Sequence, residues 1–357
     1  MNLTLHLTED CNMDCGYCPN RKSHQTMSEE VLLAACRLAF SVGNRAGLCF
    51  FGGEPLLQKQ LIYEAIDYCG RLSRDTGKPF QCKMTTNGTL LDEAFLKRAV
   101  QAHMEIGLSY EGTCQDVARV YAGSLKGTER DVREKAKLLL RYLPDSYCLM
   151  TICPDAVLGY AEAVEFIDRL GFRKISAVIA YGPKVNWTED KLEILEQQLV
   201  KLKEFYRRKI ASGEKFFFGP FDGKIRECIH GLNPNRMCHL GKRQMPVDID
   251  GKLYPCTQFI KDADYCLGDV FLGIDLQAQR KLAAESRTPD ECRDCDLRNR
   301  CSNSCGCSNR LETGSEFHVS ATQCSYERML IRIADEIAED LYADENLRDL
   351  FIRHCKA

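Results

Sequence analysis

Three cysteines fall within eight residues near the start of the chain, Cys11, Cys15 and Cys18 in "CNMDCGYCP". Thiolates gathered on one loop are metal ligands by chemistry. A closed zinc site takes four ligands and favours paired C-x2-C, and a cubane iron–sulfur cluster also takes four cysteines. The spacing C-x3-C-x2-C supplies three. One metal is then left with an open position, where a substrate or cofactor can bind.

A second cysteine field lies downstream. Cys238 is followed by twelve residues, Gly251, four residues and Cys256. Then come Cys292-x2-Cys295-x5-Cys301-x3-Cys305 and, eighteen residues on, Cys324. C-x2-C pairs by themselves fit a zinc ribbon. Cys228, ten residues before Cys238, and Cys307, in "CGC", stand beside this field. His230 and His239 flank it too, and core or surface roles suit them. The scattered Cys36, Cys49, Cys69, Cys82, Cys148 and Cys153 sit in apolar periodic stretches and read as core.

The elements that must position these groups alternate. Leu3, Leu5 and Leu7 alternate with Thr4, His6 and Thr8, the pattern of a half-buried strand. Strands are expected at 47–53, 80–88, 104–110, 147–153 and 174–181. Helices are expected at 28–42, 56–72, 92–102, 128–142, 159–170 and 188–212. Strand-then-helix repetition implies a parallel sheet with right-handed crossovers, and six units are fewer than the eight of a closed barrel. Active-site residues of such folds sit at the carboxyl ends of the strands. The cysteine loop, "GGEP" (52–55), "TTNG" (85–88) and "SYEG" (109–112) each follow a strand. From about residue 215 Gly and Pro break the alternation, and strands and turns dense in cysteine are expected. The last thirty or so residues read as an amphipathic packing helix. The expected division is a core over 1–213 and a cysteine-rich domain over 214–357.

Composition bounds the rest. The chain has 357 residues, and 48 basic against 51 acidic residues give a formal charge of −3 with no basic tract. Nothing points to nucleic acid or a membrane surface. No apolar run approaches the ~18 residues a spanning helix needs. The N-terminus lacks the basic flank and apolar core of a signal peptide, so a cytoplasmic location is expected. The 21 cysteines are odd in number and too sparse for a disulfide scaffold.

Cys11, Cys15 and Cys18, with Tyr17 before the last, resemble the radical S-adenosylmethionine (radical SAM) enzymes. That resemblance implies a four-iron, four-sulfur cluster whose open iron chelates SAM, with Tyr17 against the adenine. It implies that Gly52, Gly53 and Glu54 meet the methionyl amino group, and that Asn87 and Ser109 contact ribose and methionine. By residue chemistry alone these are turn formers. "EGTCQDVAR" (111–119) resembles the family's "DGxxxxxDxxR" run. There Arg119 would pair with the SAM carboxylate or form a structural ion pair, and both readings stand open.

The seven-cysteine order, with "VDIDGKLYPC" (247–256) and "LGDVF" (267–271), resembles the SPASM domain of radical SAM peptide-modifying enzymes. Such domains hold two auxiliary four-iron clusters. The resemblance gives Cys292, Cys295, Cys301 and Cys324 to the distal cluster, and Cys238, Cys256 and Cys305 to the proximal one. Cys228 is the expected fourth proximal ligand, Cys307 competes, and an open iron is the remaining alternative. The implied fold is a partial (β/α)6 TIM-type barrel followed by a small SPASM domain with a β-hairpin and C-terminal helices.

The implied activity is reductive SAM cleavage, hydrogen abstraction from a ribosomal peptide and oxidative crosslinking through a thioether or carbon–carbon bond. The implied partners are a peptide or protein substrate and an electron donor such as flavodoxin or ferredoxin; with only ten residues before Cys11, either a separate protein is expected to bind the peptide leader or the peptide is gripped directly. Anaerobic sulfatase maturation is the rival reading. It usually places an Asp after the cysteine that ends C-x9–15-G-x4-C, where this chain has Thr257. Oxidation of a small alcohol or sugar, and a non-catalytic metal-binding scaffold, are further alternatives.

Overall fold

A computed structural model describes residues 1–20, 22–230, 240–241, 244–284, 288–303 and 305–356. Cys238 and His239 lie outside the described residues. Two compact units divide the chain. One comprises Met1–Ser109, Val120–Ser146 and His239–Ser286; the other comprises Tyr110–Arg119, Tyr147–Cys238 and Arg287–Ala357. Both units draw residues from either side of position 213.

The sheet strands are β1 (Asn2–His6), β2 (Ala46–Phe51), β3 (Phe80–Thr86), β4 (Glu105–Ser109), β5 (Tyr147–Ile152), β6 (Lys174–Ile179), β7 (Phe217–Phe218) and β8 (Gln244–Val247). In the first unit β8, β1, β2, β3 and β4 lie side by side, all parallel. In the second, β5, β6 and β7 are parallel neighbours. The expected helices are present at Glu29–Ser41, Lys59–Thr76, Glu93–Gln101, Glu129–Tyr142, Tyr160–Leu170 and Glu189–Ala211. Two of them start on side-chain caps: Ser28 accepts from Val31 N and Asp92 from Phe95 N. Carboxyl ends of parallel neighbours share one rim, so the loops after β1, β2 and β3 meet there.

Three features depart from expectation. β1 is buried on both faces: Thr4 and His6 are as enclosed as Leu3 and Leu5. A strand with parallel neighbours on both edges lies inside a sheet whose two faces are both buried, so alternation of residue type in its sequence does not mark a solvent-exposed face. β8 comes from the cysteine-rich part of the chain, yet it pairs with β1 from Asn2↔Gln244 to Leu5↔Val247. "GPFDGKIRECIH" forms a helix, Gly219–His230, where turns were expected. Pro220 is tolerated in the first turn, and Asp222 accepts the N–H of Phe218 at 2.7 Å.

The C-terminal end is helical as expected, over Ala321–Ala343 and Arg348–Lys356. Cys36, Cys69, Cys82, Cys148 and Cys153 are buried, while Cys49 is half-buried. Among the described residues no helix is long and apolar enough to cross a membrane.

Candidate active site and cluster sites

After β1 the chain leaves the sheet and returns. Glu9 N donates to Gln25 O at 3.0 Å and Met27 N to Leu7 O at 2.9 Å, closing the base of a loop that carries the three cysteines. Met13–Cys15 is extended, and Cys18 N donates to Cys15 O at 3.0 Å, a tight turn that sets Cys15 beside Cys18. All three thiols are half-buried, and so is Tyr17, which precedes Cys18 in the chain. Cys11 Sγ accepts from Met13 N at 3.5 Å and from Asn87 Nδ2 at 3.9 Å. Burial pushes its thiol up to about 11, and the charges of Glu54 and Cys15 act in the same direction.

"GGEP" packs on this loop. Gly53 N donates to Thr8 O and Glu54 N to Asp10 O, each at 2.8 Å. A Cβ on Gly53 would stand 2.0 Å from Asp10 O, and one on Gly52, where φ is +120°, 2.5 Å from Thr8 O. Only glycine lets the two strand-end loops approach so closely.

Glu54 is fully buried and binds in several directions. Oε1 accepts from Leu56 N at 3.0 Å and Thr86 Oγ1 at 2.6 Å, and Oε2 accepts from Asn87 N at 2.8 Å. Asn87 then reaches back with Nδ2, which donates to Asn12 Oδ1 at 2.9 Å as well as to Cys11 Sγ. Its Oδ1 accepts from Thr89 N and Thr89 Oγ1. Asn12 Nδ2 donates to Thr89 Oγ1 at 2.8 Å. The loops after β1, β2 and β3 are one hydrogen-bonded network that ends on a cysteine sulfur. Ser109 ends β4, half-buried.

In the second unit Arg119 Nε stands 2.5 Å from Glu111 Oε2, and both side chains are buried. Glu111 Oε1 accepts from Thr151 N at 3.1 Å, and Gln115 Oε1 accepts from Glu111 N at 2.9 Å. Arg119 is thus held in a buried ion pair.

Residues 5–170 match the family model "Radical SAM superfamily". The chain carries a radical SAM domain, and it is an enzyme. Among relatives, a cysteine-type anaerobic sulfatase-maturating enzyme of Clostridium perfringens is 23% identical over 273 residues, 71% of this chain and 72% of that one. An uncharacterized protein of Methanocaldococcus jannaschii is 27% identical over 178 residues, which span 49% of this chain and 61% of that protein. Among solved structures, native anSMEcpe with bound AdoMet and Kp18Cys peptide superposes with a TM-score of 0.80 at 19% identity, covering 95% of this chain and 99% of that one. Streptococcus suis SuiB bound to precursor peptide SuiA gives 0.65 at 15% identity, covering 90% and 75%. At these identities the structural likeness shows the fold.

A radical SAM domain implies a four-iron, four-sulfur cluster and SAM, and the first loop fits them. It offers three soft thiol donors on one turn, with a side-chain N–H already aimed at one sulfur. Asn12, Thr86 and Thr89 were not singled out from the sequence. Their signal is position alone, since each lies next to or within a motif at a strand end.

In the second unit Cys292, Cys295, Cys301 and Cys324 line one cavity, with Leu297, Asn303, Glu327 and Arg328 among its walls. Turns place the first three, with Cys295 N donating to Cys292 O at 3.2 Å, and Ser320 caps the helix that carries Cys324. Burial pushes the Cys301 thiol up to about 12, aided by Glu327. Glu327 is itself neutralised: Lys224 Nζ lies 2.8 Å from its Oε2, which also accepts from Ser302 N at 2.8 Å. Among the described residues no three His, Cys, Asp or Glu side chains converge as they would on a single ion.

The proximal set is described in part. Cys256 follows the hairpin closed by Asp248 N to Lys252 O at 3.0 Å and lies in the first unit. Cys305 and Cys228 lie in the second. Cys305 Sγ is 3.3 Å from Cys307 Sγ. Cys228 is largely exposed; the desolvation of its partly covered thiol and the neighbouring Asp335 raise its pKa, with Arg300 opposing. His230 is exposed.

Proposed function

We propose that this enzyme oxidises a ribosomally made peptide or a protein side chain, closing a thioether or carbon–carbon crosslink. The observation that carries the reading is the four-cysteine cavity of Cys292, Cys295, Cys301 and Cys324, a site separate in sequence from the radical SAM loop. A second cluster site suits a net oxidation, because a substrate that loses a hydrogen atom and then a proton must also hand on an electron. When bound, SAM and the reduced first cluster supply the carbon radical that takes the hydrogen atom. The chain's part is to hold and shield these groups. Cys11, Cys15 and Cys18 would hold the first cluster, Tyr17 would lie against the adenine, and Gly52 to Glu54, Asn87 and Ser109 would line the SAM site.

Cys228, Cys238, Cys256 and Cys305 would hold a proximal auxiliary cluster, making three in all. A flavodoxin- or ferredoxin-class protein would supply the electron. Peptide complexes of similar folds support a peptide substrate.

Sulfatase maturation is the second reading, favoured by the higher TM-score of the anSMEcpe structures. Thr257 stands against it, since a threonine hydroxyl is no general base at neutral pH. Anaerobic incubation with SAM and reductant separates the two. The proposed reaction removes hydrogen from a cysteine-containing peptide and retains its sulfur in the mass spectrum. Loss of sulfur with gain of an aldehyde from a sulfatase-type peptide would replace it with the second reading.

A further inference from the structure

The helix Ala321–Ala343 carries Cys324 and, one turn later on the same face, Arg328. Arg328 Nε donates to Cys324 Sγ at 3.4 Å, and its Nη2 reaches Cys295 Sγ at 3.9 Å. One guanidinium therefore spans two of the four thiols that line the cavity. The neighbouring charges are spent on each other. Glu327 is paired with Lys224, whose Nζ also donates to Arg300 O at 2.6 Å, and Arg300 is paired with Asp335. Arg328 has no carboxylate partner among the described residues, so its charge is directed at sulfur.

We propose that Arg328 sets the reduction potential of the distal cluster, holding it high enough to take an electron. This rests on the reading of Cys292, Cys295, Cys301 and Cys324 as cluster ligands. Taking one electron adds one negative charge to the cluster, from the 2+ to the 1+ core state, and no bond or proton need move. A fixed cation and N–H donors on the ligand sulfurs favour the more negative state, and both raise the potential. Arg328 is exposed, so its charge acts through partly solvated space and must weaken as salt rises. It acts on the cluster through its charge and its contacts to the ligand sulfurs.

The test is a redox titration of the full-length, anaerobically reconstituted enzyme, followed by electron paramagnetic resonance, with iron and sulfide counted in each sample. The distal signal is the one lost in Cys324→Ala. In Arg328→Gln, at the wild-type midpoint, the reduced-to-oxidised ratio of that signal should fall about tenfold, which is 59 mV for one electron. The other signals should stay in place, and the difference should shrink in high salt. Arg328→Lys keeps the charge without the two-pronged donor and should fall between the two. An unchanged distal midpoint in Arg328→Gln overturns the proposal. Should that variant lose iron, Arg328→Lys decides, and a wild-type midpoint there overturns it equally. If wild-type enzyme has no signal that depends on Cys324, the cluster reading itself fails, a different result from an unmoved potential.

Discussion

Glu54 Oε2 accepts the backbone N–H of Asn87 at 2.8 Å, a buried bond between loops 33 residues apart. With Thr86 Oγ1 and Leu56 N on the other oxygen, the carboxylate fastens the loop after β2 to the loop after β3. Glu54→Ala would strand these donors in the interior, at about 3 kcal/mol or more in all. The expected outcome is a clear fall in melting temperature together with weaker SAM binding by equilibrium dialysis, with iron retained. A variant that melts like wild type would remove the fastening role.

Arg119 and Glu111 form a buried ion pair. Arg119→Ala removes the cation beside the buried Glu111 carboxylate, a loss of about 3–5 kcal/mol. Arg119→Met combined with Glu111→Gln should regain most of it. Urea unfolding of the single and double variants gives the coupling. If Arg119→Lys keeps full stability yet loses SAM affinity, the SAM carboxylate is the partner that matters.

The cysteine groups should separate by iron content. The three proposed clusters would hold about twelve irons, so Cys11, Cys15 and Cys18 changed together to Ala should remove about four and abolish SAM cleavage. Cys324→Ala should remove a different four and leave reductive SAM cleavage in place. Twelve irons in the triple variant would refute the grouping.

Cys305 Sγ lies 3.3 Å from Cys307 Sγ. Cys228 is the proposed fourth proximal ligand, as its place upstream of Cys238 implies, and Cys307 is its competitor. In reconstituted enzyme Cys228 should resist alkylation although its surface is exposed in the apo chain, while Cys307 labels. Strong labelling of Cys228 with protection of Cys307 would exchange their roles.

His6 is held neutral by burial, which lowers its pKa to about 4, with Glu9 opposing weakly. The unfolded imidazole titrates near 6.5, so the unfolded state binds the extra proton first on acidification. Its contribution is present above about pH 6.5 and lost as pH falls towards 4, up to about 3 kcal/mol. His6→Gln should flatten the apparent melting temperature between these limits. An equally steep profile in that variant would place the acid sensitivity elsewhere.

The sequence by itself determined the alternation of strands and helices and the radical SAM loop. Periodicity is local, and a three-thiol loop with "GGEP" and "TTNG" after successive strands is legible wherever it folds. Cys292, Cys295, Cys301 and Cys324 were grouped from the sequence by likeness to a known pattern, and tertiary structure decided that they wall one cavity. It also decided what the polar motif residues touch: Glu54 lies against Thr86 and Asn87, and Arg119 against Glu111. Such pairings join positions far apart or turn on side-chain direction, and no periodicity encodes them. β8 is the sharpest case, because its pairing with β1 joins Gln244 to Asn2. Closing so long a loop costs little more than closing a short one, so the edge of a parallel sheet can recruit a strand from anywhere in the chain.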